Sequence, residues 1–153
     1  MFIGKLVMEG LPNIHPVAMF IMVFTIVYRA KALIPIGIFV VLTGVYGGFN
    51  LWWIPYLYIW AILWGMTMLI PKGIPKTFAA FVYPIVCGLF GFLYGILYAP
   101  AQAILFGYDL PKMLLWISTG LPYDLLHGFG NLAMGLLVLP LSEVLKKLER
   151  STY

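Results

Sequence analysis

Charge is scarce in this sequence. Lys, Arg, Asp and Glu make up 9% of its 153 residues, where soluble domains carry about a quarter. That excludes a water-soluble fold of this length, which would need far more polar surface to cover its core. Cys87 is the only cysteine, so no intramolecular disulfide is possible. Histidine occurs twice, at His15 and His127 in different apolar segments, and no paired His/Glu motif suggests a metal site. There is no phosphate-binding glycine loop with its lysine, which excludes ATP hydrolysis by that route. No nucleophile elbow is present. Repeats, linkers and low-complexity stretches are missing too. No cleavable signal peptide is expected, because the first eleven residues carry Lys5 and Glu9 and no small-residue cleavage site follows a clean apolar core.

What is there is apolar. Hydrophobic residues make up 63% and the mean hydropathy is +1.03, for which lipid is the natural solvent. A spanning helix needs ~20 apolar residues, so the sequence predicts one multi-pass membrane domain over 1–153 with about six helices. Spanning β-strands would alternate in polarity over ~10 residues. Stretches 36–45 and 132–139 are apolar on every side, which favours helices that satisfy their own backbone in lipid. The net charge of +4 sits at span ends, in Lys5, Arg29, Lys31, Lys72, Lys76, Lys146, Lys147 and Arg150. It reads as topology and headgroup contact, with no nucleic-acid partner.

Along the chain, 14–28 is the first clear span, opened by His15-Pro16 and closed by Arg29 and Lys31. A second runs over 32–46 and ends at Gly47-Gly48-Phe49-Asn50. A third covers 51–70. The stretch 78–106 is too long for one straight helix, and Pro84 and Pro100 offer places to break it. Residues 107–112 read as a loop, 113–118 as a short apolar piece, and 121–148 as the last helix, after which 151–153 leave the helix. Two passes between 78 and 118 give six spans; one pass gives five. Only five put the basic loops 29–31 and 72–76 and the C-terminal lysines on the same side.

Three stripes stand out. Asp124, His127 and Asn131 are spaced i, i+3, i+7 and share one helical face. A carboxyl at bilayer depth costs roughly 2.5–3.5 kcal/mol, so it needs a partner, water or a ligand: the stripe is either an interhelical polar clamp or a ligand site. Trp53, Tyr56, Trp60 and Trp64 share a face of the third span and read as bulky packing or as a wall for a flat ligand. Gly88, Gly91, Gly95 and Ala99, continuing to Ala103, form a face of small residues that permits close helix approach, either within the chain or against a partner membrane protein.

The segment Gly120-Leu-Pro-Tyr-Asp124, with His127, Asn131, Gly135, Pro140-Leu141 and Lys146-Lys147-Leu148, resembles the C-terminal helix of substrate-binding S components of energy-coupling factor (ECF) transporters. Gly88-Leu-Phe-Gly91-Phe-Leu-Tyr-Gly95-Ile-Leu-Tyr-Ala99-Pro100 resembles the glycine-rich helix before it. The resemblance covers mainly residues 84–150. It implies a six-helix, non-enzymatic protein of a bacterial plasma membrane, with no cofactor of its own. Such a protein captures a vitamin-like molecule from outside and hands it to a membrane T component driven by two cytoplasmic ATPase subunits. By that resemblance Asp124, His127 and Asn131 are binding residues; the local reading adds Asn50, Trp53 and Trp116. Gly88, Gly91, Gly95 and Ala99 become the candidate docking face, because the Ala-x-x-x-Ala pattern that many S components carry in the first helix is absent before Arg29. An accessory or assembly subunit with a structural polar stripe is the alternative.

Overall fold

The computed structural model describes residues 1–11 and 14–151, and among them there is no strand. The helices are α1 (Phe2–Val7), α2 (Val17–Tyr28), a 3-10 turn (Arg29–Ala32), α3 (Leu33–Gly47), α4 (Tyr56–Met68), α5 (Lys76–Phe92), α6 (Tyr94–Phe106), α7 (Leu110–Gly135) and α8 (Val138–Ser151). By length and apolarity, Val17–Gly47 and Lys76–Phe106 are each sufficient to cross a membrane, and α7 with α8 makes a third if that pair, bent by 46°, is one span.

Val17–Gly47 is not straight. Arg29 has φ +54°, outside the helical region. The Phe2 ring meets Tyr46 at the end of α3 (centroids 5.8 Å), while Gly4 lies against Pro16 and Phe20 at the start of α2. A straight helix of those 31 residues would hold its ends roughly 45 Å apart. The chain therefore folds back between α2 and α3.

α4 runs parallel to α2 and antiparallel to α3. Trp64 Nε1 donates to the Arg29 carbonyl (3.1 Å), Arg29 Nη2 donates to the Met68 carbonyl (2.9 Å), and Trp53 Nε1 donates to the Val40 carbonyl (2.8 Å). The chain then rises through α5 and α6 and descends through α7, and α8 packs back across α2 and α5. Direction reverses at 29–32, 48–55, 69–75 and 107–109, so the chain runs along the bundle five times.

Three boundaries differ from the sequence expectation. Between 78 and 106 the helix breaks at Leu93, not at Pro84 or Pro100, because the Gly95 N–H donates to Asp124 Oδ1 (3.0 Å). Residues 113–118 are not a separate piece but the first turns of α7, which starts at Asp109, whose carboxylate accepts from the Lys112 N–H (3.0 Å). An N-cap with proline in the first turn is a sufficient start signal. The last helix divides at 136–137. Ser151 is still helical, and 152–153 lie outside the described residues.

The core centres on Trp60, Phe39, Phe90, Ile21, Met22, Ile59 and Leu63. The outer surface is apolar as well. α3 presents Ile34, Ile38, Val41 and Val45, and α5 presents Phe78, Phe81 and Ile85. Contiguous apolar faces of this extent need a non-aqueous neighbour. At one end Lys5 lies over the Trp52 and Tyr56 rings (5.9 and 5.8 Å), and burial there lowers its ammonium below the ordinary lysine range, against a smaller opposing effect of Glu9. At the other end Glu143 pairs with Lys76 (2.9 Å) and Lys146 (3.2 Å). The Lys76 side chain is 75% exposed, so Glu143→Gln is expected to change stability by less than about 0.5 kcal/mol. Thermal melts in detergent at low and high salt measure it.

Candidate functional site

The site forms where α5–α6 and α7 cross closely, and glycine makes the approach possible. A Cβ at Gly91 would sit 2.6 Å from the His127 carbonyl oxygen and 2.8 Å from the Gly128 backbone. One at Gly88 would sit 3.0 Å from Leu132, and one at Gly95 would overlap the Asp124 carboxylate. The small face expected to dock a partner is thus occupied by α7 of the same chain. Gly88, Gly91, Gly95 and Ala99 are all buried, which leaves no free face there. Close packing of small residues against a neighbouring helix is how apolar helices associate without a hydrophobic drive.

Asp124 lies within this contact. Its Oδ1 accepts the Gly95 N–H, the second amide of α6, and so caps that helix from across the interface. Its Oδ2 is buried and has no partner among the described residues. One turn on, His127 is 2% exposed. Its ring meets Tyr94 (4.7 Å) and His15 (5.2 Å), and its Nε2 is likewise unpartnered. His15 Nδ1, Trp60 Nε1 and Asn131 Nδ2 share that condition. Tyr56 and Trp60 stand edge to face (5.4 Å), and Trp60 reaches Tyr94 (6.0 Å). Buried polar atoms are normally paired, so this concentration of unpaired ones within an aromatic shell is the chemical signature of the site.

A cavity of about 270 Å³ opens onto it, lined by Tyr94, Gly95, Tyr98, Trp116, Gly120, Tyr123, Asp124 and His127. Tyr98 and Trp116 stack (6.0 Å, 15° between planes), and the Tyr98 hydroxyl donates to the Trp52 carbonyl (2.7 Å). The volume is near the lower limit of small-molecule sites, ~300 Å³. The walls are flat and aromatic, and Asp124 and His127 complete the lining. Such a cavity can sandwich a ring and hold one polar edge.

Of the residues expected from sequence, Asp124, His127 and Trp116 line this cavity, and Asn131 lies buried one turn below. Trp53 faces a different cavity with Val40, Tyr56 and Trp60, and its indole is committed to the Val40 carbonyl. Asn50 is on an exposed loop beside Gly48. Tyr94, Tyr98, Tyr123 and His15 escaped the sequence reading. Tyr94 and Tyr98 had a signal, since they repeat at i, i+4 beside the glycine face. His15 had none beyond being a histidine at the start of an apolar stretch. Among the described residues no three His, Cys, Asp or Glu side chains gather as a metal site.

Because Asn131 is 1% exposed with an unpaired amide, Asn131→Leu is expected to raise stability in the ligand-free protein by up to about 1–3 kcal/mol. A higher melting temperature in detergent supports this, and a lower one shows that the amide holds α7 in place.

No family model matches the chain, and no curated protein or solved structure matches it.

Proposed function

We propose that the chain is a membrane-embedded capture protein for a small aromatic or heteroaromatic molecule. In line with the resemblance of residues 84–150 to S components, it serves an ATP-driven importer whose T component and ATPases are separate subunits. The single observation that carries this reading is that Asp124 and His127, each holding a buried, unpartnered atom (Oδ2 and Nε2), line a cavity walled by Tyr94, Tyr98, Trp116 and Tyr123. A clamp that existed only to join helices would use up its polar atoms; this one leaves two of them unpaired beside a cavity.

In this reading the helical bundle is embedded in the bilayer. Arg29, Lys31, Lys72, Lys76, Lys146, Lys147 and Arg150 then fall on the cytoplasmic side, and the aromatic cavity lies toward the outside. A ring enters between Tyr98 and Tyr123, stacks on Trp116, and directs a donor group to Asp124. Binding differs between the outward and the delivering state, and that difference couples capture to transport. No bond is made or broken in the ligand.

One observation favours the alternative of an accessory subunit: Asp124 already spends one oxygen on Gly95. Mass spectrometry of small molecules released from the purified, detergent-solubilised protein separates the two. A stoichiometric ring compound is expected. Lipid alone, with no T component or ATPase co-purifying, sinks the importer reading and favours the accessory one.

A further inference from the structure

A second cavity lies at the opposite end, and the proposed capture mechanism does not use it. It measures about 400 Å³ and is bounded by Arg29, Lys72, Lys76 and Lys146, with Glu143 as the only acid and an apolar collar that includes Ile26 and Leu139. Cations at span ends are ordinary topology signals. Two features here go further.

First, Arg29 is built in. It is the one non-glycine residue with positive φ among the described residues. Its carbonyl accepts from the Trp64 indole, and its guanidinium donates to the Met68 carbonyl. A residue held at its backbone carbonyl and at its guanidinium, in an unfavourable backbone conformation, is fixed in direction. Among the described residues neither Arg29 nor Lys72 pairs with a carboxylate, whereas Lys76 and Lys146 share Glu143. Second, α5 begins at this cavity, contributing Lys76 and Ala79 to its wall. Its N-cap is Pro75, which supplies no side-chain hydrogen bond, so the free amides and positive dipole end of α5 add to the cations.

We infer that this cavity binds a phosphate group, and that the apolar collar suits it to the phosphate of an anionic lipid. The inference is independent of the capture reading, since it uses none of the aromatic cavity's residues.

The test is native mass spectrometry of the purified protein offered equal amounts of phosphatidylglycerol and phosphatidylcholine, with melting curves in inorganic phosphate as a second arm. Retention of the anionic lipid over the zwitterionic one by roughly tenfold is expected. Lys72→Glu, on an exposed loop, should remove most of that preference without changing the melting temperature in detergent alone. Lys147→Glu, equally charged but outside the cavity, should leave it intact. Phosphate that displaces the lipid shows that the free anion enters the same site; phosphate that does not shows that the lipid form alone is taken. Equal retention of both lipids with no response to phosphate overturns the inference. So does an equal effect of Lys147→Glu and Lys72→Glu, which would mean diffuse surface charge.

Discussion

Gly91→Leu is expected to keep the protein from assembling into a monodisperse species. The atoms a side chain would meet at this position are backbone, the His127 carbonyl oxygen and the Gly128 amide and Cα, and backbone cannot swing aside as a flexible side chain can. Overpacking costs typically 1–3 kcal/mol when side chains can yield. Here α5 and α7 must separate along their whole contact, so a loss above about 3 kcal/mol is expected, a large fraction of the stability of a small domain. Gly37→Leu is the control, because nothing lies within 4 Å of the added Cβ; its melting temperature should stay close to that of the parent. If Gly91→Leu purifies and melts like Gly37→Leu, the close α5–α7 crossing described above is wrong, and with it the position of Asp124 and His127.

The second large effect concerns the polar stripe itself. His127→Leu should leave the melting temperature of the ligand-free protein unchanged or higher, because it removes a buried, unpartnered nitrogen. It should also weaken binding of the co-purified ring compound by roughly 10- to 100-fold, the equivalent of one buried hydrogen bond of about 1.5–3 kcal/mol. Asp124 should behave differently because its two oxygens have different tasks. Asp124→Asn keeps an acceptor for the Gly95 N–H, so the α6 cap survives and the loss falls on affinity. Asp124→Leu removes the cap as well, and should lower both stability and affinity. Melting curves beside equilibrium dialysis separate these outcomes. A His127→Leu protein that melts early and binds normally would make the stripe a clamp and favour the accessory-subunit reading.

The sequence by itself determined the element type. With so few charges and apolar residues on every side of its segments, the chain had only helices available, and the helices are there. It also determined which face of α7 is polar, because Asp124, His127 and Asn131 follow helical spacing whatever surrounds them. Tertiary structure decided the rest. Periodicity assigns a residue to a face but does not say what covers that face, so Gly88–Ala99 was legible as a small surface while its occupant, α7, was not. Helix breaks were read from proline, yet Pro84, Pro100 and Pro122 all lie inside helices. The break at Leu93 comes instead from the Asp124 carboxylate, which takes the N–H of Gly95, 29 residues before it in sequence. Trp53 and Trp60 share a face by spacing and still part company: Trp53 lies in the turn before α4, bonded to the Val40 carbonyl, and Trp60 sits within α4 in the core beside His15. Long-range partners of this kind depend on how the helices cross, and crossing is set by side-chain volumes on two segments at once, which neither segment records alone.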